Sequence, residues 1–155
     1  MYYDIIESPI GPILLAGDKE GLKHLIFLKG KEKIKILDGW VENKEFFKEI
    51  SRQLEAYFAG KLKSFDVKLA PECTEFQKSV WYALCEIPYG ETRSYKEIAI
   101  SIGNPMAYRA VGLANNRNPI AIIIPCHRVI GSNGKLMGYA SGLDVKEFLL
   151  NIELK

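Results

Sequence analysis

The sequence predicts an α+β protein, with a small N-terminal antiparallel sheet and one helix followed by a mainly helical C-terminal domain. Residues 2–28 alternate apolar and polar side chains between Gly- and Pro-containing turns, as short antiparallel strands do. Residues 74–115 carry repeated helix start signals, which indicate a helix-turn-helix. An apolar run at 120–124 predicts a short buried strand that leads directly to Cys126.

The N-terminal part is predicted to hold two or three strands within residues 2–28 and one helix over residues 45–58. Six apolar residues of that helix share one stripe and are assigned to packing rather than to chemistry: Phe46, Phe47, Ile50, Leu54, Tyr57 and Phe58. Gly60 is predicted to end the helix, because glycine is favoured just past helix C-termini.

A polar connector follows this helix. Its short apolar run at 65–69 is a candidate edge strand. We place the domain boundary near Pro71, which divides the chain into domains at 1–70 and 71–155.

Four start signals define the C-terminal helices. Capping boxes at 74–77 (Thr-Glu-Phe-Gln) and 94–97 (Ser-Tyr-Lys-Glu) predict two helices. The Gly-Asn-Pro sequence at 103–105 predicts a turn, an N-cap and a proline in the first helical position, with the helix running to about Asn115. A last helix is predicted to open at 144–147 (Asp-Val-Lys-Glu).

Composition describes an ordinary globular protein and excludes several classes. The 155 residues are 48% hydrophobic and 26% charged, and no apolar stretch reaches the roughly 18 residues of a membrane span. The first residues lack the basic and apolar regions of a secretory signal, so we expect a cytoplasmic protein. The 16 Lys, 18 Ile and two Gln favour a thermophilic source. We expect that source to be prokaryotic.

Cysteine and histidine usage argues against a metal site. Cys73, Cys85 and Cys126 are odd in number and lack C-x-x-C spacing, which suits reduced intracellular thiols. Neither His24 nor His127 lies at ligand spacing from them, so we predict no metal and no cofactor.

Charge distribution indicates a polyanionic partner. No Asp or Glu occurs from Ile98 to Leu143, whereas four basic residues do: Arg109, Arg117, Arg128 and Lys135. A buried core would also be poor in acids, but the Asn, Arg and Gly content of this segment favours an anion-binding surface.

The predicted helix at 105–115 is unusual because its side chains are small. Ala107, Ala110, Gly112 and Ala114 surround a single charged residue, Arg109. A helix that reads base edges carries several Asn, Gln, Arg or Lys side chains, so this helix favours non-specific, minor-groove contact with DNA. Simple packing of small residues in a core is the alternative, and the same depletion argues against a transcription factor.

The segment at 125–130 (Pro-Cys-His-Arg-Val-Ile) is the candidate reactive centre. His127 and Arg128 surround the thiol with positive character, which favours a thiolate nucleophile. An isolated cysteine is more often a small core residue. A cysteine hydrolase is a further alternative, but such enzymes bring a distant histidine to the cysteine rather than its neighbour.

This motif resembles that of the O6-alkylguanine-DNA alkyltransferases, also called methylated-DNA–protein-cysteine methyltransferases. The resemblance extends to Arg-Ala-Val-Gly at 109–112, Asn-Pro at 118–119, and Gly138, Tyr139, Gly142, Leu143 and Lys146 in the same order, over roughly residues 76–153. It implies an N-terminal domain of ribonuclease H type. It also implies irreversible, single-turnover transfer of an alkyl group from O6-alkylguanine, with O4-alkylthymine as a second candidate substrate, in a base flipped out of duplex DNA.

The resemblance also implies catalytic roles. Cys126 would accept the alkyl group, and His127 would act as base through a water molecule, oriented by Glu153. Tyr95 would donate its hydroxyl to the guanine ring, and Asn118 would brace the site. From the residues alone, Tyr95 suits a core aromatic and Glu153 a solvated terminus, while Arg128 is expected to be structural.

The remaining implied roles concern the substrate and DNA. Val129, Gly138, Tyr139 and Ala140 would line the substrate pocket. DNA contacts would come from Ser94, Tyr95, Ala107, Tyr108, Arg109, Ala110 and Arg117, with Arg109 as the finger that replaces the flipped base. Tyr108 departs from the small residue usual before that finger. The expected partner is double-stranded DNA, bound largely without sequence specificity by a monomer. Cys126 argues against an alkyltransferase-like protein that only binds lesions.

Overall fold

Strands dominate the first part of the chain and helices the second. The computed structural model describes residues 1–28 and 36–154. The strands lie at Tyr2–Ile6 (β1), Ile13–Asp18 (β2), Gly21–Phe27 (β3), Val41–Glu42 (β4), Arg93–Ser94 (β5) and Val129–Ile130 (β6). The helices lie at Lys48–Phe58 (α1), Glu75–Cys85 (α2), Tyr95–Ser101 (α3), Tyr108–Asn116 (α4) and Leu143–Glu153 (α5), with a 3-10 turn at Cys126–Arg128.

The N-terminal sheet has the order β3-β2-β1-β4. The pairs β1–β2 and β2–β3 are antiparallel, which confirms the prediction for residues 2–28. The two-residue strand β4 pairs parallel to β1, so the sheet is mixed. Nothing in so short a segment marks it as a strand.

The outer edge of β3 holds both the connector and the segment that precedes Cys126. The Leu22 N–H donates to Lys68 O at 2.8 Å. The edge strand predicted at 65–69 is present only as one isolated β-bridge at Leu69. Further along, the Leu25 N–H donates to Pro119 O at 2.9 Å, and Leu25 O accepts from Ala121 at 3.0 Å. The sheet therefore fixes the approach to the reactive segment.

Helix α1 begins three residues later than predicted. Phe47, Leu54 and Tyr57 are buried as expected, but Phe46 is 38% exposed, so the buried stripe is narrower than the sequence pattern. The helix ends at Phe58, and Gly60 follows with a φ of +75°.

The start signals of the C-terminal helices are confirmed except for one. Both capping boxes form, at Thr74 with Gln77 and at Ser94 with Glu97. The prediction that Asn104 caps a helix beginning at Pro105 is wrong, because residues 105–107 form a turn and the cap of α4 is Ala107. The backbone of that turn is tied locally, with the Ala107 N–H donating to Asn104 O at 3.0 Å.

The predicted strand at 120–124 is also wrong. After a single bridge at Ile120, the chain makes a tight turn in which the Ile123 N–H donates to Ala121 O at 2.8 Å. Ile122 lies at the centre of this turn with a φ of 71°, a strained region for a β-branched residue. Apolar content alone does not distinguish a buried strand from a buried turn.

One hydrophobic cluster joins both parts of the described chain. It includes Leu25 and Tyr57 from the first part and Trp81, Val111 and Leu149 from the second. The α+β fold class is confirmed. No helix within the described residues is long and apolar enough to cross a membrane.

Candidate active site

The short parallel pair β5–β6 brings the reactive turn beside α3. Arg93 pairs with Val129 and Ser94 with Ile130. Because β6 directly follows Cys126–Arg128 and β5 directly precedes Tyr95, this pairing places Tyr95 near Cys126. Two-residue strands leave almost no sequence pattern, so the resemblance predicted this proximity and the residue pattern did not.

Cys126 lies in a rigid backbone turn and is only 5% exposed. Pro125 has φ −80° and ψ 64°, and the Cys126 N–H donates across it to Ile124 O at 2.8 Å. A single 3-10 turn follows, in which successive side chains project about 120° apart. The His127 side chain therefore projects in a different direction from that of Cys126.

Asn118 braces this turn. Its Nδ2 donates to Ile124 O at 2.8 Å, and its Oδ1 accepts from the Ile120 N–H at 2.9 Å. The side chain is buried and spans the base of the loop that carries the strained Ile122. It can therefore hold the loop in a conformation that the backbone alone would not favour.

Asn115 is a site residue that sequence reasoning missed. It is 1% exposed on α4, and its Nδ2 lies 3.4 Å from Cys126 O. Its Oδ1 has no hydrogen-bond partner among the described residues, and its side chain lines the same cavity as Cys126. An asparagine near a helix C-terminus resembles an ordinary capping residue, which concealed this position.

Three side chains form hydrogen bonds with Glu153 at the buried end of α5. His127 Nε2 lies 2.6 Å from Oε2, and Arg128 Nε donates to Oε1 at 2.7 Å. The Tyr57 hydroxyl also donates to Oε2, at 2.5 Å. The carboxylate is 4% exposed, so the interpretation of Glu153 as a solvated terminus is wrong.

This arrangement fixes the tautomer of His127. Burial alone would raise the pKa of Glu153, but hydrogen bonds from His127 and Arg128 outweigh it and bring the pKa down to about 2. An ionised carboxylate accepts hydrogen bonds only, so His127 carries its proton on Nε2. Its Nδ1 is then a free lone pair, buried and without a hydrogen-bond partner among the described residues. A base held in this orientation is ready to take a proton.

The sequence-based prediction agrees with the structure for Arg128 and disagrees with it for Tyr57. Arg128 is structural as expected, since it pairs with Glu153 and donates from Nη1 to Ile87 O at 2.6 Å. The assignment of Tyr57 to packing alone is wrong, because its hydroxyl bonds the same carboxylate that orients the base. Helical periodicity identified the buried face of α1 but gave no information about what the hydroxyl would meet.

The two neighbours that were expected to give Cys126 an electropositive environment, His127 and Arg128, both contact Glu153. Burial lowers the pKa of His127, so the imidazole is neutral. The charge of Arg128 is compensated by Glu153. The thiolate that these neighbours were expected to favour therefore stays a prediction.

Tyr95 occupies a half-buried position over the backbone of Gly112 in α4. Burial raises its pKa, and negative charge on Cys126 raises it further. The hydroxyl consequently stays protonated and can donate a hydrogen bond close to the sulfur. Tyr95 also packs against the hydrophobic core, as its interpretation as a core aromatic expected, and its role toward guanine stays a prediction.

Residues 137–141, here called the pocket segment, contribute three of the residues that line the cavity beside the thiol. Tyr139, Ala140 and Ser141 line a cavity of about 10 Å³ next to Cys126, room for about one water molecule. Ligand pockets span roughly 300–1,000 Å³, so this cavity as it stands is too small for a purine base. Gly138 is exposed and faces Asn116 instead, and Val129 is fully buried in β6.

The predicted DNA contacts fall into two groups. Arg109, Ala110 and Arg117 are exposed, and Ala107 and Tyr108 are half-buried, with Lys96 Nζ 5.7 Å from the Tyr108 ring centre. Ser94 is buried, and its hydroxyl accepts from the Glu97 N–H at 3.1 Å. Arg128 is buried too, so the basic surface of the acid-free segment consists of Arg109, Arg117 and Lys135.

The described residues contain no group of three His, Cys, Asp or Glu side chains that could hold a metal ion. His24 stacks on Trp40 at 6.1 Å, apart from the reactive turn. Cys73 and Cys85 are exposed, free thiols.

Comparison with known families matches nearly the whole chain. Residues 1–71 match the ribonuclease-like domain of 6-O-methylguanine DNA methyltransferase, and residues 75–155 match its DNA-binding domain. A methylated-DNA–protein-cysteine methyltransferase of Methanosarcina barkeri is 80% identical over 153 residues, covering 99% of this chain and 97% of that protein.

Solved structures give the same result. The crystal structure of Mycobacterium tuberculosis OGT in complex with DNA aligns with a TM-score of 0.93 at 52% identity, covering 99% of this chain and 93% of that one. An O6-methylguanine DNA methyltransferase from Methanococcus jannaschii aligns with a TM-score of 0.69 at 30% identity, covering 97% and 93% of the two chains.

Proposed function

This chain belongs to the 6-O-methylguanine DNA methyltransferase family, and from that premise we propose that it repairs DNA by moving an alkyl group from O6-alkylguanine to Cys126. The observation that carries the assignment of the acceptor is the buried Glu153–His127 pair beside a cysteine 5% exposed. A thiolate is the fitting nucleophile for an alkyl carbon, which is a soft electrophile. No cofactor is required.

The proton and the alkyl group move in opposite directions. A water molecule passes the Cys126 proton to Nδ1 of His127, and Glu153 stabilises the imidazolium that forms. The sulfur then forms a bond to the alkyl carbon while the bond from that carbon to guanine O6 breaks. The electron pair leaves with guanine, and the protonated hydroxyl of Tyr95 donates to the purine as this charge develops.

Residues around Arg109 form the surface that we assign to DNA. Arg109 projects from a helix whose neighbouring side chains are small, while Met106 is 83% exposed and Leu113 54% exposed on the same part of the chain. Apolar side chains beside a cation suit the minor groove, where wedges unstack base pairs. Arg117 and Lys135 add positive charge for the phosphates.

A transfer experiment tests the proposal. Duplex DNA that carries labelled O6-methylguanine is incubated with the protein, and the protein is then digested to locate the label. We expect one equivalent on the peptide that contains Cys126 and none in Cys126→Ala. Multiple turnover, or label found only in a released product, would overturn the single-turnover mechanism.

The remaining assignments follow from the same proposal. We infer that Asn118 braces the site, that Val129, Gly138, Tyr139 and Ala140 form the substrate side of it, and that Ser94, Ala107, Tyr108 and Ala110 lie along the DNA. We place the boundary between a DNA-binding domain and its partner near residue 71. We also infer a monomer that acts in the cytoplasm, and the exposed, unbridged thiols of Cys73 and Cys85 favour that location.

A further inference from the structure

Tyr57 carries a buried hydroxyl that the mechanism above does not use. The residue lies in α1, with 0% of its surface exposed. Its hydroxyl donates to Glu153 Oε2 at 2.5 Å, and the same oxygen lies 2.6 Å from His127 Nε2. One carboxylate oxygen is therefore shared by the catalytic base and by a side chain from the N-terminal part of the chain.

The hydroxyl of Tyr57 can only donate in this contact. Burial raises the pKa of Tyr57, and the Glu153 carboxylate raises it further, so the phenol keeps its proton. The pKa of Glu153 is about 2, so its carboxylate is ionised and accepts hydrogen bonds only. A hydrogen bond to an ionised acceptor is roughly twice as strong as one between neutral groups. The contact can therefore fix the position of Oε2.

Arg128 holds the two oxygens of Glu153 unequally. Its Nε donates to Oε1 at 2.7 Å, whereas its Nη2 donates to Oε2 at 3.2 Å. The longer contact belongs to the oxygen that faces His127. Among the described residues, removal of the Tyr57 hydroxyl would leave Oε2 with this longer contact and with His127 itself. The carboxylate could then turn, and the imidazole would lose its fixed partner.

Three aromatic rings hold the phenol of Tyr57 in place. Phe58 and Tyr89 pack edge-on against it, with ring centres 5.6 Å and 6.3 Å away, and Phe65 lies tilted at 5.5 Å. A side chain in such close packing has little freedom to shift. The hydroxyl is therefore held where Oε2 meets it.

We propose that Tyr57 is a positioning residue for alkyl transfer, whose hydroxyl fixes the Glu153 oxygen that orients His127. It acts through the carboxylate and not on the substrate. Tyr57 lies within residues 1–71, which match the ribonuclease-like domain, and its two partners lie within residues 75–155, which match the DNA-binding domain. The first domain therefore supplies a group to the reaction of the second. This inference rests on the proposed function, in which His127 is the base.

A double-mutant cycle separates positioning from stability. Tyr57→Phe removes the hydroxyl and keeps the ring, and it is made in the wild type and in Glu153→Gln. Tyr89→Phe is the matched control, because that hydroxyl donates to Ile152 O at 3.3 Å on the same helix as Glu153. Each full-length protein is labelled with free O6-benzylguanine, and intact mass gives the rate. Melting temperatures establish that every variant compared is folded at the assay temperature.

In the wild-type background, we expect Tyr57→Phe to slow labelling about tenfold, which is the size expected for one lost hydrogen bond to a charged group. In the Glu153→Gln background, it should cause no further loss, because residues that act as one unit have non-additive effects on rate. Tyr89→Phe should keep the rate of its parent in both backgrounds.

The imidazole of His127 gives a second measurement, which does not depend on the double variant. The chain holds two histidines, so ¹⁵N-labelled histidine gives two ring systems in NMR spectra. His127 should carry its proton on Nε2 in the wild type and in Tyr89→Phe. The share of this tautomer should fall in Tyr57→Phe, because the accepting oxygen is no longer fixed.

Two results would overturn the proposal. If Tyr57→Phe slows labelling by the same factor in both backgrounds, or leaves the tautomer of His127 unchanged, the hydroxyl only stabilises the fold. If Tyr57→Phe keeps the wild-type rate, the hydroxyl has no role in transfer. A wild-type protein that takes up no label is a different outcome, since it removes the proposed function itself.

Discussion

The substitution Glu153→Gln tests the centre of the site, because it removes one charge and preserves the shape of the side chain. The amide can still accept from Arg128, but its NH₂ group can also donate to His127 Nε2. That nitrogen would then have to accept, which moves the ring proton to Nδ1. The variant would hold His127 in the right place with the wrong tautomer.

Two magnitudes follow from the geometry. In a serine protease, the corresponding carboxylate-to-amide change lowers the rate about 10⁴-fold, and we expect a loss of about 10²–10⁴ in the rate of Cys126 labelling. The drop of the Glu153 pKa from 4.5 to about 2 corresponds to about 3 kcal/mol of stability, at about 1.4 kcal/mol per unit. Removing one partner of a buried pair costs a similar amount, about 3–5 kcal/mol.

The sign of the pH dependence is fixed by the direction of that shift. A carboxyl group whose pKa is lowered by folding stabilises the protein above its unfolded pKa, and this stability is lost as the pH falls through the folded pKa. The free energy of unfolding of the wild type should therefore exceed that of Glu153→Gln by about 3 kcal/mol at pH 7. The difference should shrink between about pH 4.5 and pH 2.

Urea denaturation at pH 7 and at pH 3 measures this difference, and mass spectrometry measures the labelling rate. Glu147→Gln is the control, because Glu147 is exposed on the same helix and its replacement should change stability by less than about 0.5 kcal/mol. A gap between wild type and Glu153→Gln that is equal at both pH values would refute the linkage. An unchanged labelling rate would refute the role of the tautomer.

Three further substitutions or modifications give separate tests. Tyr57→Phe removes a hydrogen bond to a buried carboxylate and should cost about 1–3 kcal/mol in denaturant unfolding, and unchanged stability would contradict the contact. Arg109→Ala should slow repair of duplex DNA at least about tenfold more than labelling by free O6-benzylguanine, since only the duplex needs a group to replace the flipped base; equal losses argue against the finger. Methylation of Cys126 should lower the melting temperature by about 2–12 °C. The added methyl group overpacks the cavity of about 10 Å³, which should lower the free energy of unfolding by about 1–3 kcal/mol. Identical melting before and after alkylation would exclude this strain.

Local signals predicted the elements whose residues interact with near neighbours in the sequence. Both capping boxes form as predicted, because a capping box is complete within four residues. The strands β1 to β3 were predicted for the same reason, since hairpins join neighbours in sequence. Pro105 shows the limit of such signals, because the sequence Gly-Asn-Pro is compatible with a turn as well as with the start of a helix.

The parts that could not be predicted depend on distant residues. The loop before Cys126 has an apolar sequence, yet Asn118 and the edge of β3 hold it in a turn. Tyr57 meets Glu153 across 96 positions of sequence, and no periodicity encodes such a meeting. The family resemblance predicted Cys126, His127 and Glu153 as site residues. It did not predict Tyr57 or Asn115.

Single use of the thiol is consistent with the way the site is closed. Transfer leaves a thioether, and breaking its carbon–sulfur bond needs a second nucleophile at the same carbon. The described walls of the cavity offer amide groups, the phenol of Tyr139 and the hydroxyl of Ser141, with room for about one water molecule. None of these neutral groups is strong enough to displace a thiolate from an unactivated alkyl carbon. The Nδ1 atom of His127 takes up a proton during transfer, and no leaving group remains for that proton to be donated to. The features that protect a reactive thiol before the reaction therefore also prevent its regeneration afterwards.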